Sequence, residues 1–216
     1  MPDSPSRRGR PVDPAAAAER RRRLCDAAVA VALRDGIAGL TTRAVAEEAG
    51  LTAAMVGYEF DSKDGLLLAV LEHIHAGVRD ALAHAPLAGA RDPATVLEAL
   101  AGAYWAHVLD TPALQRAQYE LTLHALALPG GEAIARAQYR GYVLAVANAL
   151  EHAAPLPSER LHEVAGTCVA LMDGLILQWL ATGDTAACAR RLALGVRALQ
   201  HTLHTHEEHL PDDLTP

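Results

Sequence analysis

A chain of 216 residues, 51% hydrophobic, is long enough to bury a real core as one large domain or two small ones. Aromatics contribute only 4%, so the core must be aliphatic and alanine-rich, and no window alternates Val, Ile and Thr with a period of two. Sheet architectures are excluded and an all-α fold is expected. The formal net charge of −7 divides unevenly: residues 1–63 hold ten Arg/Lys against nine Asp/Glu, and residues 1–23 seven against three, so positive charge gathers at the N-terminus where phosphates would be met.

Residues 1–15 carry four prolines and no periodic pattern, which predicts a flexible basic arm. Within it Arg8, Gly9, Arg10 and Pro11 resemble the core of an AT-hook, whose extended arginines lie in a narrow A·T minor groove. A first helix is expected over 16–35, with Leu24, Ala28 and Val31 on one face and Gly36 as its stop. Two short helices follow near 42–49 and 53–59. Thr41 or Thr42 is suited to cap the first, Gly50 to end it, and Thr52 to cap the second. Two helices joined by so tight a glycine turn form a helix-turn-helix, whose second helix can enter a DNA major groove. A longer helix is expected over 62–85, with Asp64 in its first turn favoured by the helix dipole.

Five further helices are predicted beyond it. Asp92 and Pro93 open one ending near 109, Thr111 and Pro112 open the next, and Pro129, Gly130 and Gly131 break that one. The remaining three are expected over 132–152, from 158 to the stop at Gly183, and from Asp184 to about 204, an alternation typical of an α-bundle. Residues 164–182 contain Asp173 as their only charge; a carboxylate at the middle of a span is costly in lipid, so the segment is expected to be buried by protein and no membrane partner is implied. The N-terminus has no apolar leader segment, and Cys25, Cys168 and Cys188 lack CxxC spacing, so buried thiols in a reducing cytoplasm are expected.

The residues from about 20 to 70 resemble the DNA-binding domain of the TetR family of transcriptional regulators. The ordered series that carries the resemblance is Asp26, Ala27 and Ala28; Gly36; Thr41; Val45 and Ala46; Ala49, Gly50, Leu51 and Thr52; Phe60; and Ser62, Lys63, Asp64, Gly65 and Leu66. The resemblance implies a helix-turn-helix domain over 16–61 and a helical effector-binding and dimerisation domain over 62–210. It implies a double-stranded DNA operator as partner, contacted by Arg8, Arg10, Thr41, Thr42, Arg43, Thr52, Ala53, Ala54, Gly57, Tyr58 and Lys63, with Lys63 matching the family's phosphate-contacting lysine. The chain departs from the family at Ala32 and Gly57, where an aromatic is usual, and at Glu59, where His or Tyr is frequent. No Arg, Lys, Asn or Gln stands in the reading helix, so Arg43, Tyr58 and the arm are expected to share the sequence choice.

The resemblance also implies a homodimer through the last two helices, with the 164–182 helix and Leu192, Val196, Leu199 and Leu203 on a bundle seam, and therefore a near-palindromic operator. The middle helices hold most of the polar aromatics, and a small-molecule effector is expected among Tyr104, His107, Tyr119, His124 and Tyr142, with Glu120, Gln138 and Asp173 as further polar groups. Release of DNA by that effector makes a repressor, with the 62–85 helix as the lever. The alternatives are a metal-responsive regulator using His201, His204, His206 and His209, and a DNA-binding protein without a ligand. No cofactor, catalytic residue or enzyme activity is expected: the phosphate-loop, GxSxG and HExxH motifs are missing.

Overall fold

The computed structural model describes residues 13–83, 87, 90–153 and 157–204. Among them are nine α-helices and no strand: α1 (Pro14–Gly39), α2 (Thr42–Ala49), α3 (Ala53–Glu59), α4 (Lys63–Ala83), α5 (Pro93–Asp110), α6 (Pro112–Leu126), α7 (Gly131–Glu151), α8 (Ser158–Thr182) and α9 (Thr185–His204). The all-α expectation holds, and two compact units divide between His73 and Ile74, within α4.

In the first unit, α1 starts on Pro14 with the Asp13 carboxylate accepting the Ala15 amide at 3.0 Å. Gly36 interrupts it at φ +71°, as its position after the apolar face suggested, and one further turn follows to Gly39. Leu24, Ala28 and Val31 are fully buried, as are Val45, Val56, Leu66 and Val70 of the other three helices, and Phe60, the chain's single Phe, is buried too. Ala32, where the family usually carries an aromatic, is buried as well.

In the second unit, the Asp92 carboxylate caps α5 by accepting the Thr95 amide at 3.0 Å, and Asp184 caps α9 through the Ala187 amide at 2.8 Å. Thr111 does not cap α6 with its side chain; its hydroxyl instead donates to the His107 carbonyl at 2.7 Å and accepts from Gln115 Nε2 at 3.1 Å. One apolar cluster joins Val96, Leu97, Val146, Leu150, Leu161, Val164, Leu199 and Leu203; a second joins Trp105, Val108, Met172, Leu175, Ile176, Leu192 and Val196. This overturns one expectation: Leu192, Val196, Leu199 and Leu203 are consumed inside the subunit's own core and cannot form a seam with a second copy. The faces of the last two helices that stay open carry Leu177, 49% exposed, and Leu194, 63% exposed. Helix α8 is long and apolar enough to cross a membrane by length and composition, and its inward side, from Leu161 to Ile176, packs within this unit. All three cysteines are free and buried.

Candidate functional site

The helix-turn-helix is built by local chemistry. The Thr41 hydroxyl accepts the Ala44 amide at 3.1 Å and starts α2. Gly50, at φ +63°, ends it in the left-handed conformation, with Leu51 N–H returning to the Ala46 carbonyl at 2.8 Å. Thr52 then caps α3 through the Met55 amide at 3.4 Å. Only three residues, Gly50, Leu51 and Thr52, separate the helices, and the inner side of the short α3 buries Val56. Its outer side presents Thr52, Ala53, Ala54, Met55, Gly57 and Tyr58, all exposed, with Tyr58 at 77%. Thr41 and Arg43 are exposed and Thr42 is half-buried at the start of α2, and Lys63 is exposed at the head of α4. Arg8 and Arg10 lie outside the described residues.

Charge pairing separates the cations of this unit into two groups. Arg20 Nε and Arg21 Nη1 each reach the Glu59 carboxylate at 3.5 Å, and the Arg21 guanidinium lies 4.9 Å from the Phe60 ring centroid. Arg22 pairs with Glu19 at 2.7 Å and with Asp26, Arg23 Nη2 donates to the Ala49 carbonyl at 2.6 Å, and Arg34 pairs with Glu48 at 2.7 Å. The arginine run at 20–23, part of the positive excess counted over residues 1–23, is therefore engaged in internal braces. Arg43 and Lys63 are the two described cations of this unit that make no such bond. Glu59 is explained by the same contacts: with its side chain only 13% exposed, it ties the end of α3 back to α1 instead of facing outward.

The second unit holds a narrow cavity of about 40 Å³, lined by Val78 and Leu82 of α4, Leu100, Ala101 and Tyr104 of α5, Tyr142 and Val146 of α7, and Cys168, Val169, Met172 and Asp173 of α8. The space is smaller than a typical small-molecule site, but its lining has the same character, apolar with few polar groups. Tyr119 donates to Asp173 Oδ1 at 2.8 Å from α6. Burial raises the Asp173 carboxyl above its ordinary range, while hydrogen bonds from Tyr119 and Tyr139 oppose that shift. Burial, and then the Asp173 charge, push the Tyr119 and Tyr104 phenols well up and Tyr139 to about 12. Burial also raises Tyr142, whose hydroxyl has no partner of good geometry although the Gln138 amide lies close enough to bias its ionisation. The Cys168 thiol is pushed up to about 11 by burial, so it is an apolar wall and not a nucleophile.

The cavity brings together Tyr104, Tyr142 and Asp173, with Tyr119 attached through its bond to Asp173. His107 stacks on Tyr104, ring centroids 6.1 Å apart, without lining the cavity, and His124 is exposed near the end of α6 away from the lining residues. Glu120 is exposed, and Gln138 bonds Thr122 at 3.3 Å. His75 had drawn no attention in the sequence, yet it is 1% exposed and meets the Tyr142 ring edge-on at 5.9 Å. Its signal was present: His75 shares a helical face with Leu71, Val78 and Leu82.

Comparison with known proteins identifies the assembly of a helix-turn-helix with a helical cavity-bearing unit. Residues 24–70 match a family described as bacterial regulatory proteins, tetR family, and residues 88–200 match one described as tetracyclin repressor-like, C-terminal domain. The chain belongs to the TetR family. Similar proteins include the HTH-type transcriptional regulator BetI of Burkholderia lata, 27% identical over 193 residues, covering 79% of this chain and 89% of BetI. The HTH-type nicotine-responsive transcriptional repressor HdnoR of Paenarthrobacter nicotinovorans is 27% identical over 165 residues, covering 76% of this chain and 84% of HdnoR. Among solved structures, the multidrug binding protein EbrR complexed with imidazole aligns with a TM-score of 0.65 at 28% identity, covering 89% of this chain and 96% of EbrR. As a TetR-family member the chain is a transcriptional regulator with a DNA-binding helix-turn-helix, a class generally without enzymatic activity. No group of three metal-ligating side chains occurs among the described residues, and the His206 and His209 part of the C-terminal cluster lies outside them.

Proposed function

We propose that this chain is a cytoplasmic repressor that binds a near-palindromic operator as a homodimer and leaves it when a small-molecule effector occupies the cavity of the second unit. The observation that carries the reading is the cavity itself, a mostly apolar space with Tyr104, Tyr142 and Asp173 converging on it, in a chain that also carries a helix-turn-helix. EbrR has been solved with ethidium and with proflavin, and HdnoR is named as nicotine-responsive; both relatives support a small-molecule site in this family member. Arg43, Tyr58 and Lys63 are the proposed DNA anchors, because they are exposed and unspent, and Thr41, Thr42, Thr52, Ala53, Ala54 and Gly57 complete the surface beside them.

The dimer surface is assigned to the open faces of α8 and α9. Ala170, Gly174, Leu177 and Ala181 follow one another at helical spacing on α8, and Ala187, Leu194 and Ala198 do so on α9. Small residues allow two copies to approach closely, and the exposed leucines supply apolar area to bury. A two-fold dimer sets two reading helices about one DNA turn apart, roughly 34–36 Å.

The effector can shift the operator equilibrium only by binding the DNA-free form more tightly. Footprinting on the DNA flanking the gene should show one protected near-palindrome. Thermal-shift hits are then titrated calorimetrically with and without that DNA. Equal affinities in the two titrations would refute effector-driven release.

A further inference from the structure

Asp173 sits at the middle of the apolar helix α8, half-buried on the cavity wall, and no Lys or Arg pairs with it among the described residues. Its partners are phenols: Tyr119 donates at 2.8 Å, and Tyr139 supports the charged form as well. Phenols stabilise a carboxylate but do not neutralise it. Tyr104 and Tyr142 line the cavity beside this group, Tyr119 is bonded to it, and the Tyr139 ring meets the Tyr142 ring edge-on at 6.4 Å. Arg79 acts on Tyr142 and His75 but not on Asp173. The remaining wall is aliphatic or thioether: Val78, Leu82, Leu100 and Met172.

A carboxylate held in such a wall without a counter-charge lowers stability, and an apolar residue there would pack at no electrostatic cost. The site lacks one thing, a positive charge, and it supplies several π faces on which such a charge rests favourably. A hydrated metal ion does not fit, because one carboxylate and phenols among aliphatic groups cannot replace its oxygen shell. An anionic ligand would meet Asp173 directly, and a neutral one would expel water from the carboxylate and still leave it without a counter-charge.

We propose that the cavity takes a lipophilic organic cation, its alkylated or aromatic nitrogen set against Asp173 and the rings of Tyr104 and Tyr142, with its apolar body against the α4 and α5 side of the wall. The inference rests on the cavity being the effector site and specifies the class of effector. Side chains must rotate to admit such a ligand into a space this narrow, and Met172 and Leu82 are flexible enough to do so.

The test uses two probes of one shape, benzyltrimethylammonium and its neutral carbon isostere neopentylbenzene, titrated against the full chain. The cation should bind at least about tenfold more tightly. Asp173→Asn, which keeps an acceptor for Tyr119, should bring the ratio to about one and leave isostere binding unchanged. Comparable affinity of the two probes for the unmodified chain overturns the inference, and so does a preference that survives Asp173→Asn. The unmodified chain alone is decisive should the variant fail to fold. If both probes bind alike and Ala101→Leu blocks both, the cavity stands as a ligand site and only the charge inference falls. If neither probe binds, the inference and the cavity reading fall together.

Discussion

The buried imidazole of His75 makes the stability of the second unit depend on pH in a way that can be calculated. The side chain is 1% exposed, its Nε2 has no partner, and burial, followed by the positive charge of Arg79, pushes its pKa down to about 3. In the unfolded chain the same group titrates near its ordinary value of 6.5. The fold therefore holds His75 neutral. Its contribution is complete above pH 6.5 and is lost progressively as pH falls toward 3, because the unfolded chain takes up the proton first. Between pH 7 and pH 5 the expected loss is about 2 kcal/mol, set by about 1.4 kcal/mol per pH unit below 6.5. Replacement by Leu, close in volume and without a polar atom, should remove this slope and leave only the part due to carboxylates. The assay is urea unfolding followed by circular dichroism at pH 7, 6 and 5, at one protein concentration because association adds to stability. If wild type and His75→Leu lose stability in parallel over that range, the imidazole is not held neutral and the reasoning fails.

Three further outcomes are expected. Lys63→Ala should weaken DNA binding across all sequences and reduce the salt dependence by about one phosphate, whereas Arg43→Ala should also change operator preference in a selection experiment; retention of the wild-type preference would remove Arg43 from readout. Leu177→Glu together with Leu194→Glu should give a monomer by analytical ultracentrifugation and abolish operator binding, while helicity and the cavity are retained. Gly131→Ala should destabilise by about 1–3 kcal/mol in thermal unfolding, since a Cβ there overlaps the backbone carbonyl oxygen of Ala125 and no rotamer relieves it.

The helix-turn-helix was legible because its signals are local. Thr41, Gly50 and Thr52 each do one job within four residues of themselves, and a sequence displays such spacing directly. The cavity was only half legible. Tyr104 and Tyr142 advertise themselves as polar aromatics on apolar helices, but Leu82, Cys168 and Met172 line the space by tertiary placement that no periodicity encodes. The seam expected at Leu192, Val196, Leu199 and Leu203 failed for a related reason: an apolar stripe says that a face is buried, not whether its own subunit or another one buries it. The N-terminal charge was legible as a sum but not in its pairing. A run of arginines counts as positive in a net-charge sum even when each of Arg20 to Arg23 already holds a carboxylate or carbonyl of the same unit.

That last point sharpens the question of how a reading helix without base-reading side chains can choose a sequence. With Glu59 turned inward to Arg20 and Arg21, the outward surface of α3 consists of Thr52, two alanines, Met55, Gly57 and Tyr58. Gly57 has no intramolecular reason to be glycine. Its backbone is helical, and a Cβ placed there meets nothing within 4 Å, yet glycine inside a helix costs about 1 kcal/mol relative to alanine. A cost without an internal return is what close approach of the backbone to another molecule would produce. In the proposed DNA complex a surface this smooth would lie deep against thymine methyls and respond to groove width, while the proposed anchors Arg43 and Lys63, the cations the fold has left unspent, would fix its position on phosphates or a guanine edge. The bracing of α3 by Glu59 would serve such reading: shape-dependent recognition favours a helix held in place, and the Arg20 and Arg21 contacts tie its C-terminal end to α1.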